Sequence, residues 1–187
     1  RDLHSFPTRR SSDLDSSLLA DAHYDLVTFL YVLFKLHKLG VYTYYLERII
    51  NEIRMGIITR IPYLQQNRAY LYYTLCLVSK EFSLGNEWET YMQWLKRSFS
   101  INAIIVSEIK DNQLFGQLGL IRLYFALKYY IKNGIEIEIP YDLILKKIKS
   151  SSYYKNKTKV AEVPKGLDGI LGLYLLYINI VEYGTKD

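Results

Sequence analysis

The sequence predicts an all-α fold built from helical hairpins, and three observations carry that expectation. Wholly apolar segments and two-faced segments alternate along the chain, each at helical spacing. A glycine-marked pattern, Gly116-x-x-Gly119-Leu120-x-x-Leu123-Tyr124, returns 53 residues later as Gly169-x-x-Gly172-Leu173-x-x-Leu176-Tyr177. Period-two alternation is confined to Ile135-Glu136-Ile137-Glu138-Ile139, which stands before Pro140 and reads as an extended linker. Glycine is a poor helix former, so its recurrence at the head of an apolar helix points to a backbone that approaches closely.

Seven helices are expected in order. Residues 17–38 are apolar on every side between Leu26 and Phe34, and Gly40 supplies a C-terminal cap. Residues 41–57 set Tyr42, Tyr45, Leu46, Ile49, Ile50 and Ile53 against Glu47, Arg48, Asn51, Glu52 and Arg54, which puts one face in water. Residues 64–82 return to the apolar type through Leu71, Tyr72, Leu75, Cys76 and Leu77. Residues 87–99 are amphipathic around Trp88, Tyr91, Leu95 and Phe99, entered through an Asn86–Glu89 capping box. Residues 114–132 form the first glycine-marked helix. Residues 140–150 start at Pro140, a favoured first-turn residue, and set Leu143, Ile144 and Ile148 against Lys146, Lys147 and Lys149. Residues 168–183 form the second glycine-marked helix.

Inner and outer helices therefore alternate. Ala22, Ala69, Gly116 and Gly169 fall in register, so that a small residue opens each inner helix. This order suits an α/α-toroid, in which inner helices line a ring and outer helices wrap it. An open superhelix of HEAT or armadillo type has a similar period, but its concave helices would meet solvent and carry polar residues. The greasy inner segments favour the ring.

Residues 1–14 are rich in Arg and Ser, unlike the Ile-, Leu-, Tyr- and Lys-rich remainder, and resemble a translated sequencing-adapter read. They are set aside as an artefactual or disordered tail. Residues 15–187, with no initiator Met before them, are expected to be the C-terminal part of a single α/α-toroid domain, with apolar edges left bare.

The formal charge of +5 falls to +4 without the tail, and the surplus is scattered. Its densest stretch, Lys146, Lys147, Lys149, Lys155, Lys157 and Lys159, holds few aromatics and reads as a solvated helix face rather than a nucleic-acid groove. The 19 tyrosines, together with abundant Ile, Lys and Asn, fit an A/T-rich coding sequence. A single cysteine excludes an internal disulfide framework and suits the reducing cytoplasm. The longest apolar runs, residues 26–34 and 169–178, fall short of the roughly 18 residues of a membrane span.

From Gly166 through Leu167, Asp168, Gly169, Ile170, Leu171, Gly172 and Leu173 to Tyr177, the chain resembles the last repeat of lanthionine synthetase C-like proteins. Residues 115–120, with Gly116, Gly119 and Leu120, are similar to an earlier copy. The resemblance implies an α/α-toroid acting in peptide maturation. It also implies a zinc ion, held in the family's enzymes by two cysteines and a histidine, that activates a peptide thiol for addition to a dehydrated Ser or Thr. Those ligands are missing: there is one Cys and no Cys-His pair, and only His23 and His37 remain as other soft ligands outside the tail. The expectation is a non-catalytic or altered member without cofactor, binding a precursor peptide or a partner protein. An α-helical repeat scaffold that binds a protein on its surface is the alternative, and a carbohydrate-active α/α-barrel a third.

The candidate catalytic residues are Asp168, Asp25 and His23. Asp168 beside the last Gly-x-x-Gly would need a second carboxylate about 5–10 Å away to act as a glycosidase acid; helix capping explains it equally well. His23 and Asp25 stand near the start of the first inner helix, where Asp25 would favour the helix N-terminus. Cys76, between Leu75 and Leu77, reads as a small buried hydrophobe rather than a nucleophile. Arg122 and Lys128 on an inner helix either face a polar cavity or snorkel at its rim.

Overall fold

Helices account for all the regular secondary structure among the described residues of the computed structural model, which are 32, 34–41, 44, 46, 64–84, 88–116, 118–155, 163, 165–167 and 169–183. They are α1 (Gln65–Val78), α2 (Trp88–Arg97), the short α3 (Ile101–Ala103) running into a π turn (Ile104–Glu108), α4 (Leu120–Lys132), α5 (Tyr141–Ser150), the short α6 (Ser152–Lys155) and α7 (Ile170–Tyr183). The all-α class is as the sequence predicts. Most of the first two predicted helices, with Ala22 and the Asn86 cap, lies outside the described residues. Residues 34–38 are helical and end as expected at Gly40, whose φ of +76° belongs to a left-handed cap. Gly40 N–H donates to the His37 carbonyl and Val41 N–H to that of Leu36, the paired bonds of a Schellman motif. The same pair recurs after α4, from Gly134 to Ile131 and from Ile135 to Tyr130, with Gly134 at φ +77°.

The apolar helices pack on one another and the two-faced ones lie beside them. α1 buries ten of its residues, whereas α2 buries Leu95 alone and α5 only Ile144 and Ile148. α4 packs against both α1 and α7. α1 and α4 run in the same direction: Thr74 Oγ1 meets the Tyr130 hydroxyl at 2.9 Å, and further on Lys80 Nζ donates to the carbonyls of Asn133 and Gly134. The Lys80 ammonium thereby sits at the negative end of α4. The Tyr130 hydroxyl also reaches the Tyr70 carbonyl, so this buried polar cluster is satisfied within the helix pair.

Four expectations need correction. The helix predicted from residue 114 begins at Leu120, because residues 114–119 form a turn. Pro140 is the N-cap of α5 rather than its first residue, and its carbonyl accepts from Ile144 N–H. α3 with its π turn, and α6, were not foreseen. Finally, α7 is apolar all round yet buried on one side only. Leu176 and Ile180 are inside, while Leu171, Tyr174, Leu175, Ile178 and Val181 remain 36% to 59% exposed.

The π turn has a structural task. Glu108 at its end accepts from the backbone N–H of Gln65 at 2.7 Å and of Gln66 at 2.9 Å, and so caps α1 from 43 residues away. Gln65 answers by accepting from Ser100 N–H at the start of α3. Substituting Glu108→Gln keeps the shape but removes the charge and one acceptor. It is expected to cost about 1.5 kcal/mol in a denaturant titration; an unchanged midpoint would contradict the capping role.

Candidate functional site

The glycine-motif residues singled out by sequence stand where α4 and α7 begin. Gly116 lies in the turn before α4 with φ +85°, a backbone that L side chains avoid. Gly119 N–H donates to the Gly116 carbonyl, and Leu123 N–H donates to Gly119. Before α7 the same bonds run from Gly169 to Gly166 and from Leu173 to Gly169. The structural counterparts are therefore Gly116 with Gly166 and Gly119 with Gly169. This is a register of 50 residues, not the 53 read from the sequence. In this register the shared pattern is Gly-x-x-Gly, two aliphatics, any residue, then Leu-Tyr, ending at Tyr124 and Tyr174.

Close backbone approach explains two of these glycines. A Cβ on Gly119 would lie 2.6 Å from the Phe115 carbonyl group and 2.7 Å from the Leu114 oxygen. The reason is that the turn folds back to satisfy α4: Leu120 and Ile121 N–H donate to the carbonyls of Gln113 and Leu114. A Cβ on Gly172 would overlap the Leu167 carbonyl and come within 2.9 Å of Ile121 Cγ2 on α4. Gly172, in the first turn of α7, thus makes room both for the preceding backbone and for a neighbouring helix. Leu120 is fully buried and Leu173 half-buried against the core, whereas Gly166 is open on all sides.

Asp168, Asp25 and His23 lie outside the described residues. Cys76 is half-buried, and burial pushes its thiol above the ordinary range; the Tyr72 hydrogen bond and the charges of Lys96 and Lys80 only partly offset this. It is protonated at neutral pH and a poor nucleophile. His37 packs on Phe82 at 4.9 Å and faces Glu81 at 4.0 Å. Among the described residues no three His, Cys, Asp or Glu side chains gather as a metal site. As the only cysteine of the chain, Cys76 cannot supply the two thiolate ligands of a zinc ion of the lanthionine cyclase kind. Arg122 and Lys128 are both half-buried along α4.

Several features escaped sequence reasoning. Glu108 has no local signal, since its partners are 43 and 42 residues away. On α2, Trp88 and Tyr91 belong to the stripe read from the sequence, whereas Trp94 was not singled out. Their rings follow one another at 5.8 Å, with Arg68 closing the row 5.9 Å from the Trp94 ring. Inside the row of apolar helices, Asn67 Oδ1 and the Tyr124 hydroxyl are buried without a hydrogen-bond partner. A shallow groove runs along Ile131 and residues 134–138, away from the glycine turns, with Glu136 and Glu138 exposed on the extended segment. No described helix is long and apolar enough to cross a membrane.

The geometry defines a class, that of all-α proteins in which neighbouring apolar helices open on glycine turns. Beyond the class, comparison with protein families, with characterised proteins and with solved structures finds no match to the chain.

Proposed function

We propose that the chain is a non-catalytic, lanthionine synthetase C-like α/α-toroid protein of the cytoplasm that grips a peptide during its maturation. The observation that carries this reading is the repeated opening of α4 and α7. Two Gly-x-x-Gly turns that share the same glycine-to-glycine and leucine-to-glycine hydrogen bonds start neighbouring apolar helices, as the family resemblance leads one to expect. The single cysteine, which leaves the family's two-cysteine zinc site incomplete, supports binding rather than thiol activation. Asn67 and Tyr124 offer hydrogen bonds within the inner row.

Two measurements on the full-length protein test this. Elemental analysis is expected to return well under one zinc per chain, and one tightly held zinc would overturn the non-catalytic part. The short peptide encoded beside the gene, fluorescently labelled, is expected to bind with a dissociation constant in the micromolar range, about −8 kcal/mol. A neighbouring peptide that fails to bind removes the maturation role. The second reading, a scaffold for a protein partner, is favoured by the bare apolar side of α7.

A further inference from the structure

The exposed stripe of α7 continues an interface already present in the fold. In the 50-residue register, Ile121 and Tyr124 of α4 correspond to Leu171 and Tyr174 of α7. Ile121 is 2% exposed and seated against Gly172, and Tyr124 is 1% exposed. Leu171 and Tyr174 are 47% and 59% exposed. The side of α4 that the fold covers is thus the side of α7 that it leaves in water. Leu175, Ile178 and Val181 extend this side along the helix at i, i+3 and i+4 spacing, with no charged residue before Glu182. A contiguous apolar stripe of this length marks a contact surface.

We infer that α7 docks against α7 of a second copy of the chain, as an antiparallel helix pair about a two-fold axis near Leu176. Two features of α7 select a second copy. The stripe is self-complementary about that point: Leu171 lies opposite Val181, and Tyr174 opposite Ile178. The antiparallel arrangement also places Glu182 over the first turn of the opposing helix, where the helix dipole favours a carboxylate. The pairing stands whether or not a peptide is the ligand, because it uses the far side of α7 from the α4 contact.

Sedimentation of the full chain at several concentrations, with circular dichroism as the fold control, tests the pairing. A discrete dimer is expected at about 50 μM. Ile178→Glu, a change at a 48% exposed position, is expected to keep the helical signal and raise the dimer dissociation constant about a hundredfold or more, since it buries two unpaired carboxylates. In a Cys76→Ser background, Leu175→Cys is expected to form a disulfide with its counterpart across the axis on mild oxidation. A monomer throughout overturns the inference, and so does a dimer indifferent to Ile178→Glu. Species growing without limit as concentration rises would show head-to-tail contacts and overturn it too. If the dimer forms but Leu175→Cys does not cross-link, the antiparallel geometry is wrong.

Discussion

Gly172→Ala is expected to destabilise the protein by about 3 kcal/mol, near the upper end for an overpacked site. The added Cβ would overlap the Leu167 carbonyl, which is backbone and has no rotamer to change, and would press on Ile121 of α4 at 2.9 Å. Either the turn before α7 opens or α7 moves off α4. For a chain of 187 residues this corresponds to roughly 6–12 °C in the midpoint of thermal unfolding followed by circular dichroism. Gly166→Ala is the matched control, since nothing lies within 4 Å of its Cβ position and its φ is not positive. That variant should stay within about 0.5 kcal/mol of the parent. Equal losses at both positions would refute the close-approach account.

Alkali is expected to unfold the protein steeply between about pH 10 and 12. Burial pushes the phenols of Tyr73 and Tyr124 up to about 12, aided by the nearby Cys76 thiol and Tyr141 respectively. Below the ordinary phenol value both states hold the proton and stability is unaffected. Between that value and 12 the unfolded chain releases it while the folded chain keeps it, so stability falls as pH rises. Each buried phenol contributes a slope of up to about 1.4 kcal/mol per pH unit, or about 3 kcal/mol per unit for these two. Tyr72 and Tyr91, also raised to about 12 chiefly by burial, act in the same direction. The check is a pH titration that follows phenolate absorbance and helical signal together. They should change in one step; tyrosines that ionise gradually with the helices intact would count against the burial.

The sequence made the alternation of helix types legible because periodicity reports burial directly. The one-sided burial of α2 and α5 follows from the Lys and Glu residues on their outer faces. The glycine signature was legible as a motif but not in its register. Three glycines at intervals of three, Gly166, Gly169 and Gly172, allow two alignments to Gly116 and Gly119, and a helix dense in Leu and Tyr satisfies both. Only the turn hydrogen bonds distinguish them. The start of α4 was misplaced for a related reason: Leu114, Phe115 and Leu118 continue the apolar pattern, yet the chain turns here so that the carbonyls of Gln113 and Leu114 cap the helix. The half-exposure of α7 was hidden because composition states what a helix would bury, not whether a neighbour is there to cover it. Nor could local sequence reveal Glu108 as the cap of α1, since that contact belongs to tertiary structure alone.

The wide turn at residues 104–108 makes this surface segment intolerant of changes in chain length. Its closing bond, from Ile109 N–H to the Ile104 carbonyl, spans one residue more than an α-helical bond. Removing a single codon there would tighten the coil and rotate every later side chain by roughly 100°. The Glu108 carboxylate would swing away from Gln65 and Gln66, and α1 would lose its anchor. Substitutions of Val106, which is 58% exposed, are tolerable in the same place. Natural variants should therefore differ in letters across this turn and agree in spacing.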